Sequence, residues 1–180
     1  GDRSFADLPL VCTDDWETAT GLVFPPGGQD LRSKANRNKN TVPWEQRQPV
    51  AVFRGNSTGP GVLPSGNQRL LLSAASQAWS RPGHKYSQDN SIDGQPYLDA
   101  GVVGFNTRDR KVMGEPMTFL NARTLKLHLS ERVPMYAQSK FKYQIYVDGH
   151  CAAMRYLSMI PIGGVILKVG SIIQADAIWY

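Results

Sequence analysis

The 180-residue chain is poor in the residues that would tie it together covalently or through a metal. Its two cysteines, Cys12 and Cys151, lie far apart without a CxxC pair, and no histidine stands at metal-ligand spacing. Neither a disulfide scaffold nor a zinc site is indicated. Long apolar runs are missing too. The longest stretch, residues 160–169, is interrupted by Pro161, Gly163, Gly164 and Lys168, and a membrane helix needs about 18 to 20 apolar residues. A transmembrane helix is therefore excluded. The chain has no Met start, no basic leader and no apolar leader core, so its sequence does not assign a compartment.

What is present is a globular composition, 41% hydrophobic and 19% charged, sufficient for one buried core or for a core with an arm. Twenty Lys plus Arg against fifteen Asp plus Glu give +5, which favours an anionic partner without naming it. Seventeen glycines and twelve prolines cluster rather than repeat. That pattern predicts long ordered loops on an α/β frame rather than a solenoid.

Residues 1–48 read as an N-terminal arm and linker, irregular to about residue 40, and residues 49–180 as a Rossmann-like domain. In the arm Pro25, Pro26, Gly27 and Gly28 break helices, and Arg32, Lys34, Arg37 and Lys39 are spread among polar residues. The run Val50-Ala51-Val52-Phe53 predicts a buried strand. A glycine-rich loop to Gly66 follows it, and then a helix capped by Asn67 with Leu70, Leu71, Ala74, Ala75 and Ala78 near helical spacing. Residues 97–105 predict a short strand with a turn at Asp99, and residues 129–136 a short helix opened by Ser130. Residues 143–147 alternate apolar and polar and end at Asp148-Gly149, as a strand leaving a sheet does. A helix over 151–159 and a strand over 165–169 complete a second β-loop-α-β unit. The whole predicts a parallel α/β sheet.

Ligands of such sheets sit at the carboxyl ends of the strands, so the two loops there are the places to look for chemistry. Arg54-Gly55-Asn56-Ser57-Thr58-Gly59 joins a cation to glycines and hydroxyls, a combination suited to phosphate, although it is no Walker motif. Asp148-Gly149-His150-Cys151-Ala152-Ala153 brings small residues to a turn with Arg155 close behind. A guanidinium there can hold a diphosphate by two parallel hydrogen bonds.

Four blocks, VPWEQRQPVAVFRGNSTG (42–59), NQRLLLSAA (67–75), LDAG (98–101) and SKFKYQIYVDGHCAAMRYLSMIPIGGVILKV (139–169), together resemble the capsule-associated glycosyltransferases of family ninety. That family includes the Rumi-type protein O-glucosyltransferases and xylosyltransferases. The resemblance implies a GT-B architecture with a Rossmann-like donor-binding core. It also implies an inverting, metal-independent transfer of a sugar, glucose or xylose, from a UDP-sugar to a hydroxyl of a protein or glycan. No other cofactor is implied. Carried onto this chain, it assigns Arg54, Gly55, Ser57 and Thr58 to the phosphate side, and Gly149, Ala152, Ala153 and Arg155 to the nucleotide diphosphate. Arg69, on a position that some branches of the family fill with Arg, is assigned to the same nucleotide site. The general base is an Asp in an Arg-Asp-x-Pro-like segment, for which Asp7, before Leu8 and Pro9, is the match and Asp2 the reserve. Longer chains are the rule in the family, so the donor core is expected to be incomplete at its C-terminal end. The family's setting is the secretory lumen in eukaryotes, with the cytoplasm the expectation for a viral or bacterial chain.

Two other classes compete with the transferase reading. One is a silent nucleotide-sugar-binding module that keeps the donor loops without the base. The other is a basic nucleic-acid binder, although no RNA or DNA motif accompanies the charges.

Overall fold

A computed structural model describes residues 34–91, 93–107, 109, 110, 116, 118–150 and 155–170. Its centre is a parallel sheet of four strands, β1 (Gln48–Asn56), β2 (Leu98–Gly104), β5 (Phe141–Tyr146) and β6 (Val165–Lys168), in the order β2-β1-β5-β6. Two-residue strands β3 (Asp109–Arg110) and β4 (Thr118–Phe119) pair antiparallel beside it. The described helices are α1 (Lys34–Asn40), α2 (Gln68–Trp79), α3 (Ala122–Leu125) and α4 (Tyr156–Met159). This is a mixed α/β fold compatible with a Rossmann-like core.

Strand β1 forms because Val50, Val52 and Phe53 need cover on both faces, and each is 1% exposed. Its Phe53 face meets Leu98 and Ala100 of β2, Ile145 and Val147 from β5 and its exit, and Leu72, Ala75 and Trp79 of α2. The other face holds Val50 and Val52 against Phe141. Each fully buried apolar side chain of this kind stabilises the fold by about 2 kcal/mol. The β1-α2-β2 and β5-α4-β6 crossovers run in opposite directions from the middle of the sheet. The reversal point therefore falls between β1 and β5.

Helix α2 starts where the sequence predicts it. The Asn67 side chain accepts hydrogen bonds from the amides of Arg69 and Leu70, at 3.1 and 3.2 Å, and donates to the carbonyls of Ser57 and Gly61 at 3.1 and 3.0 Å. One buried amide thus caps the helix and closes the glycine-rich loop. Gly61 can form that loop because a Cβ there would lie 2.4 Å from the Gly66 backbone. Asn67→Ala is expected to lower stability by about 2–4 kcal/mol, the cap plus two stranded carbonyls. A urea midpoint that falls at unchanged slope reads this loss. Asn67→Asp, which keeps the capping acceptor, should recover part of it.

Several expectations are corrected. The arm is not irregular to residue 40: Lys34–Asn40 is helical, with Arg37 and Lys39 in its last turn, where cations oppose the helix dipole. Arg47 then ties the arm to the 3-10 turn that precedes β6, donating to the carbonyls of Val42 and Ile162 at 2.7 and 2.8 Å. Asp99 sits inside β2, paired in register with Val52, rather than at a turn. Residues 129–134 form no helix, and Tyr136–Lys140 forms a 3-10 helix instead. Pro134, whose preceding residue is biased away from the helical region, accounts for this. The described part of the helix expected over 151–159 is α4, four residues long.

Candidate functional site

Beyond the carboxyl ends of β1 and β5 the chain gathers three arginines from three separate stretches, and each is handled differently. Arg69, from the first turn of α2, is 6% exposed. Its Nε donates to the Asp148 carbonyl at 2.8 Å and one terminal nitrogen to the Val147 carbonyl at 2.8 Å. The other terminal nitrogen reaches the Asn56 carbonyl at 3.2 Å and Thr58 Oγ1 at 2.6 Å. One side chain therefore ties the exit of β1 to the exit of β5. Gly149 allows the approach, since a Cβ there would fall 2.7 Å from Thr58 Oγ1 and 3.3 Å from the Arg69 guanidinium.

Arg54 points to the opposite face of β1 from Phe53. Its guanidinium takes both oxygens of Asp99, at 2.7 and 2.8 Å, and also donates to the Asp99 carbonyl at 2.8 Å. The two side chains are 12% and 37% exposed, so the pair is bidentate and partly shielded from solvent. The charge of Arg54 is thereby neutralised across the β1–β2 ladder.

Arg155, the N-cap residue of α4, has no such carboxylate among the described residues. It donates to the Arg54 carbonyl and lies over the Phe53 ring, 5.5 Å from its centroid, with Arg69 on the same ring at 5.7 Å. Burial pushes the pKa of its guanidinium down, with the nearby Tyr146 opposing. The cation is half-buried and has no carboxylate partner among the described residues. Gly55 makes room for it: a Cβ at 55 would lie 2.9 Å from the Phe53 ring, 3.0 Å from one Arg155 nitrogen and 3.5 Å from an Arg69 nitrogen. Any larger residue would displace the guanidinium.

A cleft of about 360 Å³ opens on this edge. Arg54, Gly55 and Asn56 line it from β1, Val103 from β2 and Arg155 from the start of α4, and residues 132–135 with Gln138 complete it. The volume falls at the lower end of small-molecule sites. Three arginines and no carboxylate line it, so it can stabilise an anion.

Of the sequence-predicted residues, Arg54, Gly55 and Arg155 line this cleft. Thr58, Arg69 and Gly149 lie behind it in the brace described above. Ser57 is turned away and fully buried, its hydroxyl accepting from the Asn106 amide at 2.7 Å. The α2 amides that might have met a phosphate already donate to Asn67. Asp7, Asp2, Ala152 and Ala153 lie outside the described residues. Sequence reasoning missed Asn56, Val103, Arg132, Val133, Pro134, Met135 and Gln138 as lining residues. Arg132 two residues before Pro134 was the available signal, since a proline in a supposed helix argues for non-helical chain that can face a cleft. Among the described residues no group of three His, Cys, Asp or Glu side chains comes together that could hold a metal ion, and no helix is long and apolar enough to cross a membrane.

A family model described as glycosyl transferase family 90 matches residues 28–175. The chain is similar to uncharacterized protein 179R of Invertebrate iridescent virus 6, 38% identical over 156 residues, 83% of this chain and 12% of the relative. It is 28% identical to uncharacterized protein 035R of Invertebrate iridescent virus 3 over 98% of this chain and 14% of the relative. Uncharacterized protein 027R of Frog virus 3 (isolate Goorha) is likewise 28% identical, over 91% of this chain and 16% of the relative. The chain thus spans less than a fifth of the length of these relatives. No solved structure matches it.

Proposed function

The chain belongs to glycosyltransferase family 90, and on that premise we propose that it supplies the donor-binding core of an inverting, metal-independent glycosyltransferase of GT-B architecture. The donor is a UDP-sugar carrying glucose or xylose, and the acceptor a hydroxyl of a protein or glycan. The observation that carries this reading is Arg155: a half-buried guanidinium without a carboxylate partner among the described residues, at the reversal point of a parallel sheet, lining a ligand-sized cleft.

The chemistry follows from the charge. The acceptor oxygen attacks the anomeric carbon from the face opposite the nucleotide. The bond from that carbon to the phosphate oxygen breaks, and UDP leaves with the electron pair. Negative charge grows on the terminal phosphate during the step. A guanidinium already in place stabilises that charge, and more so where water is excluded. Arg155 fills this role, while Arg69, Thr58, Ser57 and Gly149 hold the loops that position it. The acceptor proton goes to a carboxylate base, assigned to Asp7 with Asp2 in reserve.

Calorimetric titration of the chain with UDP tests the reading, run with and without EDTA and beside ADP and a short RNA. Micromolar binding that is selective for UDP and indifferent to EDTA is expected. No UDP binding by the folded chain would remove the donor assignment, and salt-sensitive RNA binding in its place would favour the nucleic-acid reading. Asp7→Asn in a protein with measurable transfer should leave UDP affinity unchanged and abolish turnover. Retained turnover would move the base to Asp2 or elsewhere, and UDP binding without transfer by the unmodified protein would mark a silent binder.

A further inference from the structure

Arg132 is the third arginine of the cleft lining, and its circumstances differ from those of Arg54 and Arg155. Its side chain is exposed, and no hydrogen bond or ion pair joins it to another described residue. The backbone on either side of it is nevertheless held in place. Two residues earlier, the Ser130 amide donates to the Val102 carbonyl at 2.8 Å, which lays the segment along the free edge of β2. Gly101 permits that contact, because a Cβ there would fall 1.8 Å from Ser130 Oγ. One residue later, the Val133 carbonyl accepts from the buried Gln138 side chain at 3.1 Å. The Pro134 carbonyl then accepts from the amide of Ala137 at 3.0 Å. The chain is anchored on both sides of Arg132, with the charge between the anchors.

Among the described residues the lining therefore carries two arginines without a carboxylate partner, Arg155 and Arg132, since Arg54 is matched by Asp99. One guanidinium suffices for a single phosphoryl group. Two guanidiniums brought into one cleft from separate segments fit a ligand with two anionic groups, each able to take a planar fork of donors. We infer that Arg132 is a specificity-determining residue that engages the second phosphoryl group of a nucleoside diphosphate, so that the cleft selects diphosphate over monophosphate. The inference rests on the donor-binding reading of the same cleft.

The test compares UDP with UMP as ligands for the full chain, unmodified and as Arg132→Gln, at one fixed ionic strength. The unmodified chain should prefer UDP. Arg132→Gln should weaken UDP binding about tenfold and leave UMP binding within about twofold, so that the preference collapses. Arg132→Lys should recover only part of it, because a point charge does not reproduce the fork. Equal losses for both nucleotides, or no loss for either, would overturn the assignment of Arg132 while the donor reading stands. An unmodified chain that binds neither nucleotide would bring down both. Because the Arg132 side chain makes no hydrogen bond or ion pair with another described residue, an unchanged circular dichroism spectrum and urea midpoint should accompany the altered preference. A variant that loses stability instead would show a structural role and count against the inference.

Discussion

Arg155→Ala is expected to weaken UDP binding by about 30- to 300-fold, or about 2–3.5 kcal/mol, the range for losing a charge-assisted, two-pronged contact in a shielded site. Stability should change little. Among the described residues the side chain makes one hydrogen bond to the fold, to the Arg54 carbonyl, and it rests on the Phe53 ring. Against those contacts stands the desolvation that lowers its pKa, an unfavourable term that the substitution removes. A large loss of affinity at nearly constant melting temperature is thus the signature of a residue placed for a ligand rather than for the fold. Arg155→Lys should restore little, since the lysine ammonium is a compact point charge without the planar donor fork. Undiminished UDP affinity in a folded Arg155→Ala protein would take the residue out of the site.

Arg69→Met should behave in the opposite way. The guanidinium is the common donor to Asp148, Val147, Asn56 and Thr58, and a thioether leaves those acceptors without it. Stranding several buried acceptors costs about 4 kcal/mol, a fall in melting temperature of about 10 °C for a domain of this size. The exits of β1 and β5 would also lose the tie that holds the Gly55 and Gly149 backbones together, so nucleotide affinity should drop even where the fold survives. Thermal unfolding monitored by circular dichroism reads the first effect and calorimetry the second. A melting temperature within about 2 °C of the parent would show that the brace contributes little and that the two strand exits are held by other contacts.

These two arginines also mark the boundary of what could be read in the residues themselves. Both stood out because each lies in a block whose order and spacing resembles one family, and both were assigned to the nucleotide. The structure separates them. Arg69 faces the sheet on the buried stripe of α2, which consists of Arg69, Leu70, Ser73 and Ser76, while Leu71 is 52% exposed. Apolar periodicity put Leu71, Ala74 and Ala78 on that stripe and missed the serines. The reason is local. Ser76 Oγ donates to the Leu98 carbonyl at 3.2 Å and accepts from the Ala100 amide at 3.0 Å, so a hydroxyl, not an alkyl group, joins the helix to the sheet. Hydropathy does not register a polar group whose partner is far away in sequence.

Asp99 illustrates the same limit. In isolation an Asp within a short apolar run suggests a turn, but Arg54 on the neighbouring strand satisfies both of its oxygens, and the strand continues through it. The local sequence predicts a helix over residues 129–136, yet residues 132–135 line the cleft, because the contacts that hold them come from Val102 and Gln138.

By itself the sequence determined the parallel α/β class, the strands β1, β5 and β6 to within a few residues, the Asn67 cap and the family, because each of these depends on neighbouring residues or on short motifs in a fixed order. Tertiary structure alone decided which arginine is neutralised, which one braces the loops and which ones line the cleft without a carboxylate partner among the described residues. Side chains from β1, α2, the start of α4 and residues 132–135 meet only when β1 and β5 pair with their crossovers running in opposite directions. The charge environment of a guanidinium is set by the partners within a few ångströms of it, and for Arg69 and Arg155 those partners lie as many as 101 residues away along the chain.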